Sequence, residues 1–401
     1  MPQRATLTGI AIGIASLLFL LVGIGRPSTP IFDESLYVNG ARSFLNGVST
    51  GAQDANPEHP PLAKIFIAGA MKMAGDNPLG WRLAGAVCGA LTVVAIFFWT
   101  NMLLGDCALA LTAALLTLLN NFLFVMARVA MLDVFYFAFV MWAVLAFTAA
   151  SVLDVSIFHR RLLLFSSGLL FGLGTACKWN AVVTLAGAAL VAAILYLKNT
   201  NHLREIGIPA IVLALMMVPP AAYTLAFWPL CRRFHLLFTP RELLALNAYI
   251  WRYHLACPGN PALDTRWYRW IFRATPERGL NYLMGNWVVV WGGFLALLLC
   301  AWNFLRTRCL PEGLVVLFYA VNLLQWILIP QQRTVYYYYY PPAMFLGVAM
   351  VVVLSRMRWK RICGVRIELL LLLAAAAFFL YCYPRMAALE APYDCMLGCW
   401  S

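Results

Sequence analysis

The sequence predicts an all-α polytopic membrane protein of about eleven transmembrane helices. Of 401 residues, 63% are hydrophobic and only 11% charged, and the mean hydropathy is +0.80. The apolar runs are roughly 20 residues long, the length a helix needs to cross hydrocarbon. Soluble domains do not have this composition, and a β-barrel would show shorter, alternating segments. The formal charge of +13 is explained by cationic loops that orient helices, so no nucleic-acid partner is expected. Eleven cysteines at irregular spacings show no zinc pattern.

The spans read as 5–25, 79–104, 107–126, 130–153, 162–178, 180–197, 206–228, 287–305, 312–330, 341–355 and 367–384. The first has a signal peptide's position, but its apolar core is longer than the usual 7–15 residues or so, and it is expected to remain as a helix. With the N-terminus inside, "HRR" (159–161), "KNTNHLR" (198–204), "RTR" (306–308) and "RMRWKRICGVR" (356–366) all fall inside, as the positive-inside rule requires. One domain, 1–401, then carries a first outer loop (26–78), a long outer loop (229–286) between helices seven and eight, a short one (331–340) and an outer tail (385–401). A multi-pass bacterial-type inner membrane protein with its chemistry on the outer side is the expectation. In the first loop, "DESLYVNGARSFLNG" places Leu36, Val38, Ala41, Phe44 and Leu45 at helical spacing. It reads as an amphipathic helix in the interface. "PPLAKIFIAGAMKMAG" (60–75) reads the same way, opened by two prolines.

Polar residues concentrate on the outer side. Asp33 and Glu34 are adjacent, so they cannot face each other across a sugar as a hydrolase pair would. One of them can serve as a single general base; the alternative is a helix cap that favours the dipole. "NPEHPPLAK" puts Glu58, His59 and Lys64 at one helix start, a plausible phosphate site, although a lone histidine at an interface needs no function. Arg128 and Asp133 stand at the turn between helices three and four, Lys178 ends helix five, and Arg333 precedes five tyrosines that include Tyr338. Charges in or beside spans line cavities, or else snorkel, and snorkelling cations would appear at both faces. One base, several cations and a lipid-level opening suit transfer from a lipid-linked sugar phosphate. The phosphate leaves once its charge is neutralised, and the acceptor hydroxyl needs a base.

At these residues the sequence resembles the protein O-mannosyltransferases, members of the C-type superfamily of membrane glycosyltransferases. "FDESLY", "HPPLAK", "GDNPLGWRLAGAVCGAL", "ARVAMLD", "GLGTACKWNAVVTL", "FWPL…YIWRYHL…TRWYRW…GNWVVVWGG" and "QRTVYYYYYPP" follow the family's motifs in order, from about 31 to 342. The resemblance implies inverting transfer of a hexose, typically mannose, from a polyprenyl phosphate to a Ser or Thr hydroxyl. It implies Asp33 and Glu34 as the catalytic pair, and His59, Lys64, Arg128, Asp133, Lys178, Trp179, Arg333 and Tyr338 around the donor. His254, Arg266, Arg269 and Trp270 are implied beside the acceptor, a protein or a lipid.

The sequence departs from the family at Ala63, where glycine is usual, and in a last motif that is all tyrosine and lacks a histidine. A lipid A aminoarabinose-type transferase is the alternative; a transporter would show paired broken helices and midplane charges, which are not seen. No cofactor and no divalent metal is expected, because cations already offset the leaving phosphate and no ligand cluster has metal spacing. The 230–286 stretch has eight arginines against three acids, with Trp251, Trp267 and Trp270 among them. It reads either as a membrane anchor on lipid headgroups or as a cover that presents the acceptor. Disulfides Cys231–Cys257 and Cys395–Cys399 are left open, since sequence does not supply geometry.

Overall fold

A computed structural model describes residues 3–46, 54–198, 202–256, 266–275, 283–328, 334–357, 361–362 and 364–389. In chain order the helices are α1 (Gln3–Leu21), α2 (Glu34–Asn46), α3 (Leu62–Ala74), α4 (Pro78–Leu104), α5 (Cys107–Leu118), α6 (Asn121–Met126), α7 (Leu132–Val152), α8 (Ile157–Cys177) and α9 (Ala181–Leu197). There follow α10 (Leu203–Ile206), α11 (Ile208–Val212), α12 (Val218–Leu225), α13 (Trp228–Arg233) and α14 (Pro240–Ala256). The last are α15 (Trp287–Thr307), α16 (Leu310–Leu328), α17 (Tyr340–Ala343), α18 (Leu346–Arg356) and α19 (Ile367–Met386). Among the described residues the strands are one hairpin, Arg361–Ile362 paired with Val365–Arg366.

Helix occupies each of the eleven apolar segments. Eight helical stretches among the described residues are long and apolar enough to cross a membrane, while α5 and α9 are apolar but shorter. The remaining one, α8, carries Arg160 and Arg161 near its start, which dilutes its apolar character. Both amphipathic helices of the first loop form, as α2 and α3; α2 buries Tyr37, Val38 and Ala41 and leaves Leu36 exposed.

Three expected spans are corrected. The 107–126 segment breaks at Leu119–Asn120, where the Asn120 side chain caps α6 by accepting from the Phe122 N–H. The Leu119 carbonyl, orphaned at the end of α5, accepts from Asn286 Nδ2 at 3.0 Å. The 206–228 segment extends through Ile208–Arg233 and widens to a π turn at Leu213–Met217. Pro219 and Pro220 lack the N–H groups that would continue the α ladder there. The 341–355 span begins earlier, through a 3-10 turn at Tyr336–Tyr339.

The described residues form two compact units: those within 1–32, 77–129 and 258–401, and those within 33–76 and 130–257. In the first, α1 lies against α4 and α15 against α18. Its buried arginines end on backbone oxygens. Arg82, fully buried, donates to the carbonyls of Ile24, Pro27 and Thr29 at 3.0, 2.9 and 3.3 Å. Those carbonyls follow the end of α1, where helix geometry leaves acceptors without partners. In the second unit, α7 packs on α8 and α8 on α12. Gly172 makes the second contact possible: a Cβ there would lie 2.4 Å from the Pro219 carbonyl oxygen.

Candidate active site

The second unit begins at the acidic pair. Asp33 takes the position before α2, its carbonyl accepting from the Leu36 and Tyr37 N–H groups at 3.0 and 3.2 Å. The preceding residue, Phe32, has φ of 52°, a left-handed conformation that a bulky side chain adopts at about 1–3 kcal/mol. The two carboxylates then differ in kind. Glu34 is fully buried and its Oε1 accepts the Ala130 N–H at 3.0 Å, just ahead of α7. Asp33 stays half-buried. Adjacent residues diverge on a helix, so one carboxylate anchors α2 while its neighbour retains access to solvent.

The segment before α3 is organised by Lys64. Its ammonium is buried and donates to Asp54 Oδ2 at 2.6 Å, to the Asn56 carbonyl, and to the His59 carbonyl at 3.2 Å. Gly40 on α2 permits this: a Cβ there would lie 2.8 Å from Lys64 Cδ and 3.3 Å from Asn56 Cβ. Burial lowers the Lys64 pKa from its ordinary value, and Asp54 opposes that shift. The geometry departs from the expectation that Lys64 surrounds a phosphate. A three-donor ammonium already holding one carboxylate and two carbonyls serves the loop 54–59.

His59, held in that loop, is half-buried between Tyr37 and His254, with ring centroids 5.7 and 5.0 Å away. His254, on α14, places its Nε2 3.1 Å from the Glu58 carbonyl, so Nε2 carries the proton. Trp179 lies 6.5 Å from His254, ring to ring. The residue before it, Lys178, donates both to Asp133 Oδ1 at 2.9 Å and to Oδ2 at 2.8 Å. Burial first, then Lys178, His254 and Lys64, push the His59 imidazole well below its usual pKa. Burial and Lys178 lower His254 as well, partly offset by its bond to Glu58. Both rings are therefore neutral at pH 7. Six of the predicted residues besides the acidic pair thus fall in one unit: His59, Lys64, Asp133, Lys178, Trp179 and His254.

Others lie in the first unit. Arg128 is buried over the Phe124 ring and donates to the Leu20 and Val22 carbonyls at 2.7 and 2.5 Å. It too is occupied by backbone rather than presented as an open cation. Tyr338 is half-buried, stacked on Trp326 at 4.3 Å with the planes 8° apart. Trp270 is fully buried, against Trp326 and Tyr339 at 6.0 and 6.3 Å, and lines the same cleft as Arg266 and Arg269. Arg266 and Arg269 are exposed and line an open cleft of about 780 Å³ with Tyr268 and Arg273. Arg333, Cys257, Cys395 and Cys399 lie outside the described residues; Cys231 is buried as a free thiol. Among the described residues, no group of three or more His, Cys, Asp and Glu is placed to hold a metal ion.

Sequence reasoning missed Asp54, Asn56, Tyr223 and Asn247. Asp54 sits ten residues before its lysine, outside any regular spacing, while Tyr223 and Asn247 meet only through the tertiary fold.

Residues 58–223 match the family model described as dolichyl-phosphate-mannose-protein mannosyltransferase, so the resemblance read from the motifs holds. A polyprenol-phosphate-mannose–protein mannosyltransferase of Corynebacterium glutamicum is 30% identical over 262 residues, 54% of this chain and 49% of the relative. One of Mycolicibacterium smegmatis is 32% identical over 209 residues, 45% of this chain and 39% of the relative. The chain thus spans half or less of the length of these relatives. Its fold is shared with the protein O-mannosyltransferase Pmt1-Pmt2 complex of S. cerevisiae bound to the sugar donor, at a TM-score of 0.78 and 13% identity, covering 96% of this chain and 91% of that one. It is also shared with ArnT from Cupriavidus metallidurans bound to undecaprenyl phosphate, at 0.65 and 17%, covering 98% and 67%. This is the C-type fold of membrane glycosyltransferases.

Proposed function

We propose that the chain transfers a hexose, mannose by its relatives' names, from a polyprenyl phosphate to a hydroxyl on a protein, at the outer face of a bacterial inner membrane. The observation that carries this reading is the division of labour in the acidic pair. Glu34 is locked on the Ala130 amide, and Asp33, beside it, is left accessible as the base. The acceptor O–H gives its proton to the Asp33 carboxylate as its oxygen attacks the anomeric carbon. The C–O bond to phosphate breaks with inversion, and the phosphate leaves as an anion.

The lysines of this unit supply positive potential around neutral imidazoles, and those imidazoles offer N–H donors that do not compete as acids. In this reading Lys64 acts through the loop it holds, Lys178 through its pair with Asp133, and His59 and His254 through direct contact. The reaction proceeds without a divalent cation or other cofactor. Activity that a chelator abolishes and added manganese or zinc restores would overturn that part.

The test is direct. Purified protein in vesicles is given radiolabelled polyprenyl-phosphate mannose with a Ser/Thr-rich peptide, or with lipid A. Label on peptide supports the reading. The second reading is transfer to a glycolipid, and label on lipid A alone would select it. Absence of both transfer and donor hydrolysis sinks both.

A further inference from the structure

The proposed chemistry leaves unused a chain of hydrogen bonds in the second unit. Trp179 Nε1–H donates to the Tyr223 hydroxyl at 3.0 Å, the Tyr223 O–H donates to Asn247 Oδ1, and Asn247 Nδ2 donates to the Leu243 carbonyl at 2.7 Å. It joins the segment after α8 to α12 and to α14.

Its importance follows from how α14 is held. Of the seventeen residues Pro240–Ala256, only Ile250 is fully buried, while Leu244, Trp251 and Leu255 are strongly exposed. One side chain fully buried against the rest of the protein sets the register of a helix of nearly five turns only weakly. The polar contacts are therefore decisive. Leu243, Asn247, Ile250 and His254 recur at spacings of four, three and four, which puts them on one stripe of the helix. Asn247 grips Trp179 through Tyr223, and two turns on, His254 meets the Glu58 carbonyl and the His59 ring. The same indole is thus held at its N–H by the chain and lies near the imidazole of the helix that the chain anchors.

Satisfying a buried N–H does not explain this arrangement. Trp179, Tyr223 and Asn247 are all half-buried, so water is an available partner for such groups. The bonds instead set an orientation.

We infer that Tyr223 and Asn247 are positioning residues of the candidate site, fixing the Trp179 ring and the register of α14 so that His254 meets the loop bearing His59. Its effect on turnover rests on the proposed function; its effect on α14 does not.

Two measurements separate these. In the first, kcat and KM for donor are compared for Tyr223→Phe, Trp179→Phe and the double variant, with Asn247→Asp and Asn247→Leu. Tyr223→Phe is expected to lower kcat/KM about tenfold, the scale of a lost hydrogen bond, and to add less than about twofold in the Trp179→Phe background. Asn247→Asp, which keeps the acceptor for Tyr223 but loses the bond to the Leu243 carbonyl, should lose less than Asn247→Leu, and Asn247→Leu should lose at least as much as Tyr223→Phe. In the second, hydrogen exchange of full-length protein in detergent is followed across residues 243–254. Tyr223→Phe should speed exchange there and leave α7 unchanged. Additive losses in the double variant, or unchanged exchange in α14, would overturn the inference. A wild type without transfer but with the exchange change would overturn the proposed function alone.

Discussion

In the first unit, the buried arginines Arg82 and Arg128 end on carbonyls; in the second, the buried lysines Lys64 and Lys178 each meet a carboxylate and stand near imidazoles. Arg82 and Arg128 gather the free oxygens at and beyond the end of α1, from Leu20 to Thr29. A guanidinium that stays charged and presents five donors suits that task. Lys64 and Lys178 instead meet Asp54 and Asp133, with His59 and His254 close enough to feel both charges or one of them. The second unit also holds an intermediate case. Arg160, at the start of α8, collects the carbonyls of Ala150, Leu153 and Val155 at 3.1 Å each, around and just past the end of α7, while its Nε lies 3.6 Å from a carboxylate oxygen of the exposed Glu205. Buried charge alone therefore does not mark a reactive place. Its partner does: a carbonyl sink is inert to protonation, whereas a carboxylate or imidazole partner changes charge with its surroundings.

The largest effect is expected where this contrast is sharpest. Asp33→Asn should lower turnover at least about 100-fold, the usual scale for loss of a general base, with donor binding and folding retained. Glu34→Gln should behave differently, lowering the yield of folded protein, because its amide offers the Ala130 N–H a weaker acceptor in the same place. Rates per folded molecule, with donor affinity measured separately, check both. A wild-type rate in Asp33→Asn removes the base assignment.

Next comes the buried ion pair. Lys178→Met leaves Asp133 charged and unpaired, and should destabilise by about 3–5 kcal/mol. Adding Asp133→Leu should restore much of the stability, since a buried pair is often replaceable by apolar packing, yet activity should not return. Arg128→Met supplies the comparison. It should lose roughly 2–4 kcal/mol, as charge-assisted bonds to two carbonyls disappear, while turnover per folded molecule changes little. Thermal midpoints and specific activities of the three variants decide it. If Lys178→Met/Asp133→Leu regains activity, or Arg128→Met loses it, the distinction between carbonyl and carboxylate partners fails.

How much of this was legible in the sequence depends on the range of the interaction. The apolar helical segments and the two amphipathic helices follow from local periodicity, and helix forms in each, although three spans have other bounds than expected. The break at Asn120 was missed although Asn120 and Asn121 interrupt the apolar run, because 107–126 has the length of one span; Asn120 caps the new helix and the distant Asn286 meets the Leu119 carbonyl. Ordered motifs picked out His59, Lys178, Trp179 and His254, which the fold brings near one another. They did not reveal what each cation touches, since Asp54 and Leu20 carry no pattern that points to Lys64 or Arg128. The aromatic cluster that buries Trp270 against Trp326 and Tyr339 was not legible either, because tryptophan beside arginine has the same composition at a surface or inside such a cluster.

The smallest expected effect is that of pH, and it also tests the imidazole side of the contrast. His59 and His254 both have folded pKa values below the ordinary histidine value of 6.5. The unfolded chain therefore binds protons that the folded one refuses, and stability rises with pH across that window. Their contribution is fully present above about 6.5 and is lost progressively as pH falls from there through the folded values. Wild-type protein in detergent should show a lower thermal midpoint at pH 5.5 than at pH 7.5. His59→Gln, which removes the ring set among Lys64, Lys178 and His254, should flatten that dependence by more than His254→Gln, because only His254 gains back from its bond to Glu58. Substituting Arg82 or Arg128, whose partners are backbone carbonyls, should shift the midpoint equally at both pH values. A pH slope that survives in His59→Gln/His254→Gln would assign it to other groups and leave the imidazoles as packing alone.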